Sequence, residues 1–150
     1  MLEDRTCLVT GGSRGIGRAI ATEFGRHGAD VVVNYRSSEA AAEATAEAID
    51  GTDGAAMTAQ ADVSEYGAVE AMRTAVHEEF GGVDVLVNNA GITADRRFEE
   101  MTREDWDRVM DVNLGGTFNC THCFFDDIRG ADEGRLINIS SVVGQQGNYG

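Results

Sequence analysis

The sequence predicts an α/β protein whose strands form one parallel sheet, doubly wound with helices on both faces. Three observations predict it. Short β-branched runs alternate with helical stretches from Thr6 to Ile139, joined by brief connections. Four glycines fall within seven residues directly after the first run, in TCLVTGGSRGIG (Thr6–Gly17). Polar residues follow the end of every run, and a parallel sheet gathers such ends on one edge.

Thr6 to Thr10 is apolar and β-branched, as a buried strand requires. Behind it, Gly11 is free to take backbone angles that a Cβ forbids. Gly15 and Gly17 leave nothing between the next helix (Ile16, Ala19, Ile20, Phe24) and an anion at its N-terminus. Unpaired N–H groups and the positive dipole end attract negative charge there. The spacing is Gly-x-x-x-Gly-x-Gly rather than Gly-x-Gly-x-x-Gly.

Asp30 to Tyr35 (DVVVNY) is a second strand, β-branched throughout and so suited to cover on both faces. Ser37 to Asp50 is Ala- and Glu-rich and helical, with Ser38 as its cap. Gly51 and Gly54 bracket a turn before a third strand, Ala55 to Ala61. Ser64 to Phe80 carries Val69, Met72, Val76 and Phe80 at helical spacing, and Gly81 and Gly82 end it ahead of a fourth strand, Val83 to Val87. After a polar loop, one long helix runs from Thr102, where Thr102 and Asp105 have capping-box spacing, to Arg129. Gly130 to Gly134 turns the chain into a fifth strand, Arg135 to Ile139. The expected arrangement is the Rossmann order 3-2-1-4-5, with a ligand outside the C-terminal strand ends between strands one and four. Strand five then ends the sheet with an open edge.

The 150 residues fit one domain, 1–150, able to bury about two thirds of its unfolded surface. Net charge is -14, with 26 acids against 12 bases, and every base is Arg. Such a surface repels nucleic acid and anionic membranes, and no apolar run is long enough to span a bilayer. It also repels itself unless salt screens it, over about 3 Å at 1 M. The composition predicts a halophilic protein in a salt-rich cytosol; the alternative is an ordinary acidic protein with few Lys. Met1 to Arg5 has no apolar signal core, which makes a cytoplasmic location the expectation. Three cysteines without framework spacing agree with a reducing compartment.

The polar stretches at the strand ends are Gly11–Gly17, Asn34–Ser37, Asp62, Asn88–Gly91 and Ser140–Ser141. At these residues the chain resembles the N-terminal part of a short-chain dehydrogenase/reductase. TGGSRGIG (Thr10–Gly17) is similar to that family's cofactor loop, which carries over to Gly11, Ser13, Arg14, Gly15, Ile16 and Gly17. NNAG (Asn88–Gly91) is similar to its second motif, Asn113 in VMDVNLGGTF to its helical active-site Asn, and NISSVVG (Asn138–Gly144) to its serine motif. The words NNAGIT, FNCT and SSVVGQQGNYG resemble the branch that reduces 3-oxoacyl thioesters of ACP or CoA. The resemblance implies an oxidoreductase acting on C=O or CH–OH groups, a homodimer or homotetramer at full length, and no metal, nucleic-acid or membrane partner. It also implies that Asp62 and Val63 contact adenine and that Asn89, Ala90 and Gly91 contact ribose.

A dinucleotide with a free ribose 2′-OH is usually held by an acid at the end of strand two. That place holds Asn34, Tyr35 and Arg36, with no acid until Glu39. Arg14 and Arg36 can converge on a 2′-phosphate, which suits a guanidinium fork, so the expected cofactor is NADP(H). Arg36 can equally be a solvated helix-start residue, and Asp62 the cap before the helix at Ser64.

Asn113 interrupts a helical stripe of Trp106, Val109, Met110, Thr117 and Phe118. A buried amide needs partners; it either belongs to a water site, as the family's Asn does in its proton relay, or ties down a neighbouring strand end. Ser141 resembles the serine whose hydroxyl holds the substrate carbonyl, with Ser140 beside it. Cys120 and Cys123 share a helix face and pack inward as small apolar groups, the alternative being a redox or metal pair. His27 and His77 read as surface residues.

The family's chemistry also uses a Tyr and a Lys three residues apart after the serine strand, the Tyr passing a proton to substrate. Tyr149 follows Ser141 too soon, and the chain has no Lys. The sequence is therefore expected to be the cofactor-binding portion of a longer protein, truncated after strand five and with little or no turnover alone. Two rivals remain: a nucleotide-binding or assembly module pairing through an apolar stripe on Trp106–Ile128, and a sugar or polyol dehydrogenase of the same family.

Overall fold

Successive side chains of a strand face opposite sides of its sheet. In the computed structural model, which describes residues 2–52 and 54–147, that alternation builds two cores. The strands are β1 (Thr6–Val9), β2 (Asp30–Tyr35), β3 (Ala56–Gln60), β4 (Val85–Asn88) and β5 (Arg135–Asn138). All are parallel, in the order β3-β2-β1-β4-β5. The expected order stands, and strand ends move by one or two residues. Leu8 stands level with Val32 and Leu86, and these three join Val69, Met72, Val76 and Phe124 in the first core. Cys7, Val9, Val31, Val33, Val85 and Val87 face the other way, onto Ala21, Ala42 and Ile49. Each large aliphatic side chain taken fully from water contributes about 2 kcal/mol.

Helices α1 (Gly15–Arg26) and α2 (Glu39–Asp50) supply the cover for the second core. Ser38 stands at the N-cap of α2, but its side chain makes no capping bond. Helix α3 (Tyr66–Phe80) lies over the first core and begins two residues later than expected. Asp62 does not cap it: its Oδ1 accepts from the Ser64 N–H (3.0 Å) and hydroxyl (2.7 Å), closing the turn ahead of the helix.

The long helix expected over Thr102–Arg129 is broken. It consists of α4 (Arg103–Met110), a π-type segment Asp111–Gly115, α5 (Gly116–Cys123) and α6 (Phe125–Gly130). Thr102 does open it with a full capping box, each of Thr102 and Asp105 donating its N–H to the other's side chain at 3.1 Å. The breaks follow from packing. A Cβ at Gly116 would stand 2.6 Å from Val63 Cγ2, so α5 closes directly on the loop after β3. Phe124, with φ -99 and ψ 8, leaves the helical line and enters the first core at 0% exposure. Trp106, Leu114, Phe118 and Phe125 instead stay outside, 51%, 61%, 61% and 53% exposed.

Cys120 is buried and burial pushes its thiol up to about 12, whereas Cys123 is only partly covered. His77 is not a plain surface residue: its Nε2 lies 2.7 Å from Asp127 Oδ2, and Arg73 donates to the same carboxylate at 3.1 Å, tying α3 to α6. After β5 comes α7 (Val143–Gln146). Tyr149 lies outside the described residues. Among the described residues no helix is long and apolar enough to cross a membrane.

Candidate functional site

The C-terminal ends of β1, β2, β3 and β4 open on a cleft of about 360 Å³. Its lining includes Gly11, Ser13, Arg14, Gly15, Ile16, Gly17, Arg36, Asp62, Val63, Asn89, Ala90 and Gly91, the whole expected set for a cofactor. Asn113 and Ser141 are outside it, although Val112 and Ile92 line its wall.

The loop after β1 turns at Gly11 (φ 63) and again at Gly15 (φ 56), conformations that disfavour a Cβ. Nothing lies within 4 Å of where a Cβ on Gly15 would stand, so that side of the loop is open. Gly17 serves a different purpose from the expected one. A Cβ there would collide with the Gly11 carbonyl oxygen and come within 2.5 Å of Asn89 Nδ2. Its bareness lets α1 press against the loop rather than clearing room for a ligand. Arg14 is the N-cap of α1 and caps it with no side-chain bond, so the first-turn N–H groups are left for an anion.

Three buried polar side chains that sequence reasoning did not assign brace the strand ends around the cleft. Thr10 Oγ1 accepts the N–H groups of Asn89 and Ala90, both at 2.9 Å, and donates to the Val87 carbonyl at 3.3 Å. Asn34, 1% exposed, accepts from the Gly11 N–H at 3.2 Å. Asn88 donates to Thr121 Oγ1 (3.1 Å) and Asn138 Oδ1 (2.9 Å), joining β4 to α5 and β5. An amide inside a β-branched run, as in VVVNY, was the available signal, because buried amides require partners. The Asn89 side chain also turns inward, donating to Thr10 O at 2.8 Å and Gly11 O at 3.3 Å. Its carboxamide therefore braces the loop.

Among the described lining residues the cationic groups are Arg14 and Arg36 and the one carboxylate is Asp62. Arg36 and Asp62 are 3.9 Å apart, with side chains 58% and 32% exposed, a loose pair in a high-dielectric setting. No acid stands at the end of β2, whose last residues, Asn34 and Tyr35, are followed by Arg36. Open glycine backbone, an uncapped helix start and two guanidinium groups suit a dinucleotide's phosphates.

The expected catalytic pair is arranged differently from the sequence reading. Asn113 is exposed, in the π-type segment, and its amide is spent on one residue: Oδ1 accepts from the Ile92 N–H (2.8 Å) and Nδ2 donates to the Ile92 carbonyl (3.0 Å). Of the two alternatives, the side chain ties down the segment after β4. Its carbonyl accepts from the Thr117 hydroxyl at 2.9 Å. Ser141, also exposed, follows β5 and accepts the Val143 N–H at 3.3 Å on its Oγ, closing the turn ahead of α7. That contact leaves the hydroxyl proton free to donate.

A parallel 3-2-1-4-5 sheet with a glycine-rich turn between its first strand and helix is the Rossmann-like arrangement of α/β proteins. Comparison with known proteins narrows the class. A family model described as short chain dehydrogenase matches residues 5–150, and the chain belongs to that family. It is 44% identical over 146 residues to the 3-oxoacyl-[acyl-carrier-protein] reductase FabG of Staphylococcus aureus (strain Mu50), covering 97% of this chain and 59% of that protein. It is 43% identical over 147 residues to the corresponding reductase of Staphylococcus epidermidis (strain RP62A), covering 98% of this chain and 60% of that one. The 3-oxoacyl-[acyl-carrier-protein] reductase of a Synechocystis strain is 43% identical over 149 residues, again with 60% of its length covered. The chain thus spans about 60% of the length of the curated relatives it matches.

Proposed function

We propose that residues 1–150 form one NADP(H)-binding domain of a carbonyl reductase that converts a 3-oxoacyl thioester, of ACP or CoA, to the 3-hydroxyacyl form. The observation that carries the reading is the gathering of all twelve expected cofactor residues around one cleft whose cations are Arg14 and Arg36. Arg14 and Arg36 hold the 2′-phosphate, the α1 N-terminus receives the pyrophosphate, and Asp62 and Val63 border the adenine. Asn89 to Gly91 meet the ribose through their backbone. When bound, reduced NADP supplies a hydride to the substrate carbonyl carbon. Ser141 holds that carbonyl's oxygen through a hydrogen bond from its hydroxyl, and Asn113 fixes Ile92 beside the cleft and so helps hold the relay water. The names of the relatives favour an acyl thioester over a sugar or polyol.

The chain as given binds cofactor but turns over little by itself, since it has no Lys to lower a tyrosine's pKa. Titration with NADPH and NADH tests the reading: NADPH is expected to bind on the order of tenfold more tightly. Arg36→Ser brings the two together. Equal affinities for the unaltered chain overturn the two-arginine argument.

A second reading has its own observation, the exposed Leu114, Phe118 and Phe125, one each from the π-type segment, α5 and α6. This apolar face serves assembly, as a homodimer or homotetramer of the full-length protein, with no part played by nucleic acid or membrane. The location is a cytoplasm rich in salt, as the charge of -14 without a single Lys suggests. Melting temperature is expected to rise between low and molar KCl, where screening contracts to about 3 Å. A flat response removes the halophilic reading.

A further inference from the structure

We infer that Asn34 is a positioning residue for the cleft, its carboxamide locking the loop after β1 to the end of β3. The inference rests on the dinucleotide reading above. β1 ends at Val9 while β2 runs on to Tyr35, and the backbone pairing continues past the end of β1 at alternate residues, Thr10 N–H to the Val87 carbonyl at 3.0 Å and Gly12 N–H to the Asn34 main-chain carbonyl at 2.8 Å. Between them, the Asn34 side chain serves Gly11. Its Oδ1 accepts from the Gly11 N–H at 3.2 Å. On the far side its Nδ2 donates to Ala59 O at 3.2 Å and Ala61 O at 3.1 Å.

The direction of this amide is fixed by its partners. One backbone N–H on one side demands the oxygen, and two carbonyls on the other demand the NH2 group. Packing alone would favour a valine at a site 1% exposed within a β-branched run, and an unpaired amide there would cost folding energy. The side chain makes three hydrogen bonds, both of its donors used, and joins two separate walls of the cleft. One is the Gly11 turn that faces phosphate. The other is Ala61, which leads into Asp62 and Val63. A dinucleotide touches both walls at once, so the lock presets their separation before binding. The phosphate loop and the Ala61–Val63 wall serve NADPH and NADH alike, whereas Arg36 serves only the 2′-phosphate.

Asn34→Asp keeps the size of the side chain and its acceptor for Gly11 but removes both donors to β3. Asn34→Ala removes the amide without adding charge, and keeps the test open where the aspartate chain does not fold. In the 150-residue chain, both variants are expected to weaken NADPH and NADH together, on the order of tenfold, with the ratio of the two unchanged. Residue-resolved amide exchange in the cofactor-free protein is expected to quicken in the Gly11–Gly17 loop while Val31 to Val33 keep their protection. Unaltered affinity in a folded variant overturns the inference, as does a loss confined to NADPH. So does equal loss of protection in loop and strands, the mark of a residue that only stabilises the fold. A wild-type chain that binds neither dinucleotide overturns the reading of the cleft and the ligand half of this inference; loop exchange still decides the lock itself.

Discussion

The cleft side of the molecule and the α5–β5 side arise from the same alternation of strand and helix, yet they are finished to different degrees. β1 is buried along its whole length and β2 along all but its first residue, whereas every residue of β5 is exposed. Around the cleft, Thr10, Asn34 and Asn89 spend their hydrogen bonds on the neighbouring loops and strands. On the other side Leu114, Phe118, Phe125 and Leu136 present apolar surface, with Thr121, Asn88 and Asn138 making a side-chain link between α5, β4 and β5. The difference teaches that fixed geometry here is concentrated where a ligand would need it. A contiguous apolar face on the other side calls for cover by something else.

Two phenylalanines six positions apart give the sharpest way to break that comparison. Phe124, fully buried, is expected to cost about 4 kcal/mol when replaced by Ala, from lost transfer energy and the cavity left behind. Phe118, 61% exposed, is expected to change stability by no more than about 0.5 kcal/mol. Urea unfolding followed by circular dichroism measures both. A large cost for Phe118→Ala that shrinks on dilution would mean that the outer face of α5 is buried between copies in solution, and the contrast would then belong to the isolated chain only.

The next largest effect lies within the cleft itself. Gly17→Ala drives a methyl group into the Gly11 carbonyl, which is backbone, and the Asn89 amide, which is held by its bonds to Thr10 and Gly11. A loss of about 3 kcal/mol is expected, together with loss of dinucleotide binding. Gly15→Ala meets open space and carries only the strain of a positive φ, about 1 kcal/mol. Thermal unfolding of the two variants separates a glycine required by packing from one required by backbone angle. Gly17 has no positive φ, so a loss there as small as that at Gly15 would mean that α1 shifts to admit the methyl group and that packing does not require the glycine.

These positions also mark how far the sequence could be read. Strand order was legible because β-branched runs of strand length, each followed by a helix, leave a parallel sheet little freedom. The glycine loop was legible for the same local reason. The broken helix was not, since the residues of 102–129 keep a helical apolar rhythm throughout. What breaks it is Val63, distant in sequence, against which Gly116 must close, and the core that draws in Phe124. The paired glycines at 115 and 116 were the visible hint. Asn113 was read as buried because its neighbours are apolar, but in the π-type segment it is exposed and its amide grips Ile92. Asn34 was read for the acid it is not, and its partners lie on elements that only the sheet order brings together.

The smallest effect comes from the exposed side, at the start of α4, and concerns pH. Asp105 accepts the Thr102 N–H at 3.1 Å, and that bond is the leading reason its carboxyl sits below the ordinary 3.8; partial desolvation opposes it, while the Thr102 hydroxyl and Arg96, 3.3 Å away, assist. Because the folded value is the lower one, the cap's contribution is complete above 3.8 and fades as pH falls through the depressed value. Trp106, the next residue and the single tryptophan of the chain, is half exposed and reports on this turn. Its emission is expected to hold steady down to about 3.8 and to shift below it. Asp105→Asn retains an acceptor for Thr102 but cannot titrate, so the difference between the two curves isolates this carboxyl from the other acids. A difference with its midpoint at or above 3.8 would mean that the capping box is open in solution, and that α4 shares the looseness of the face it borders.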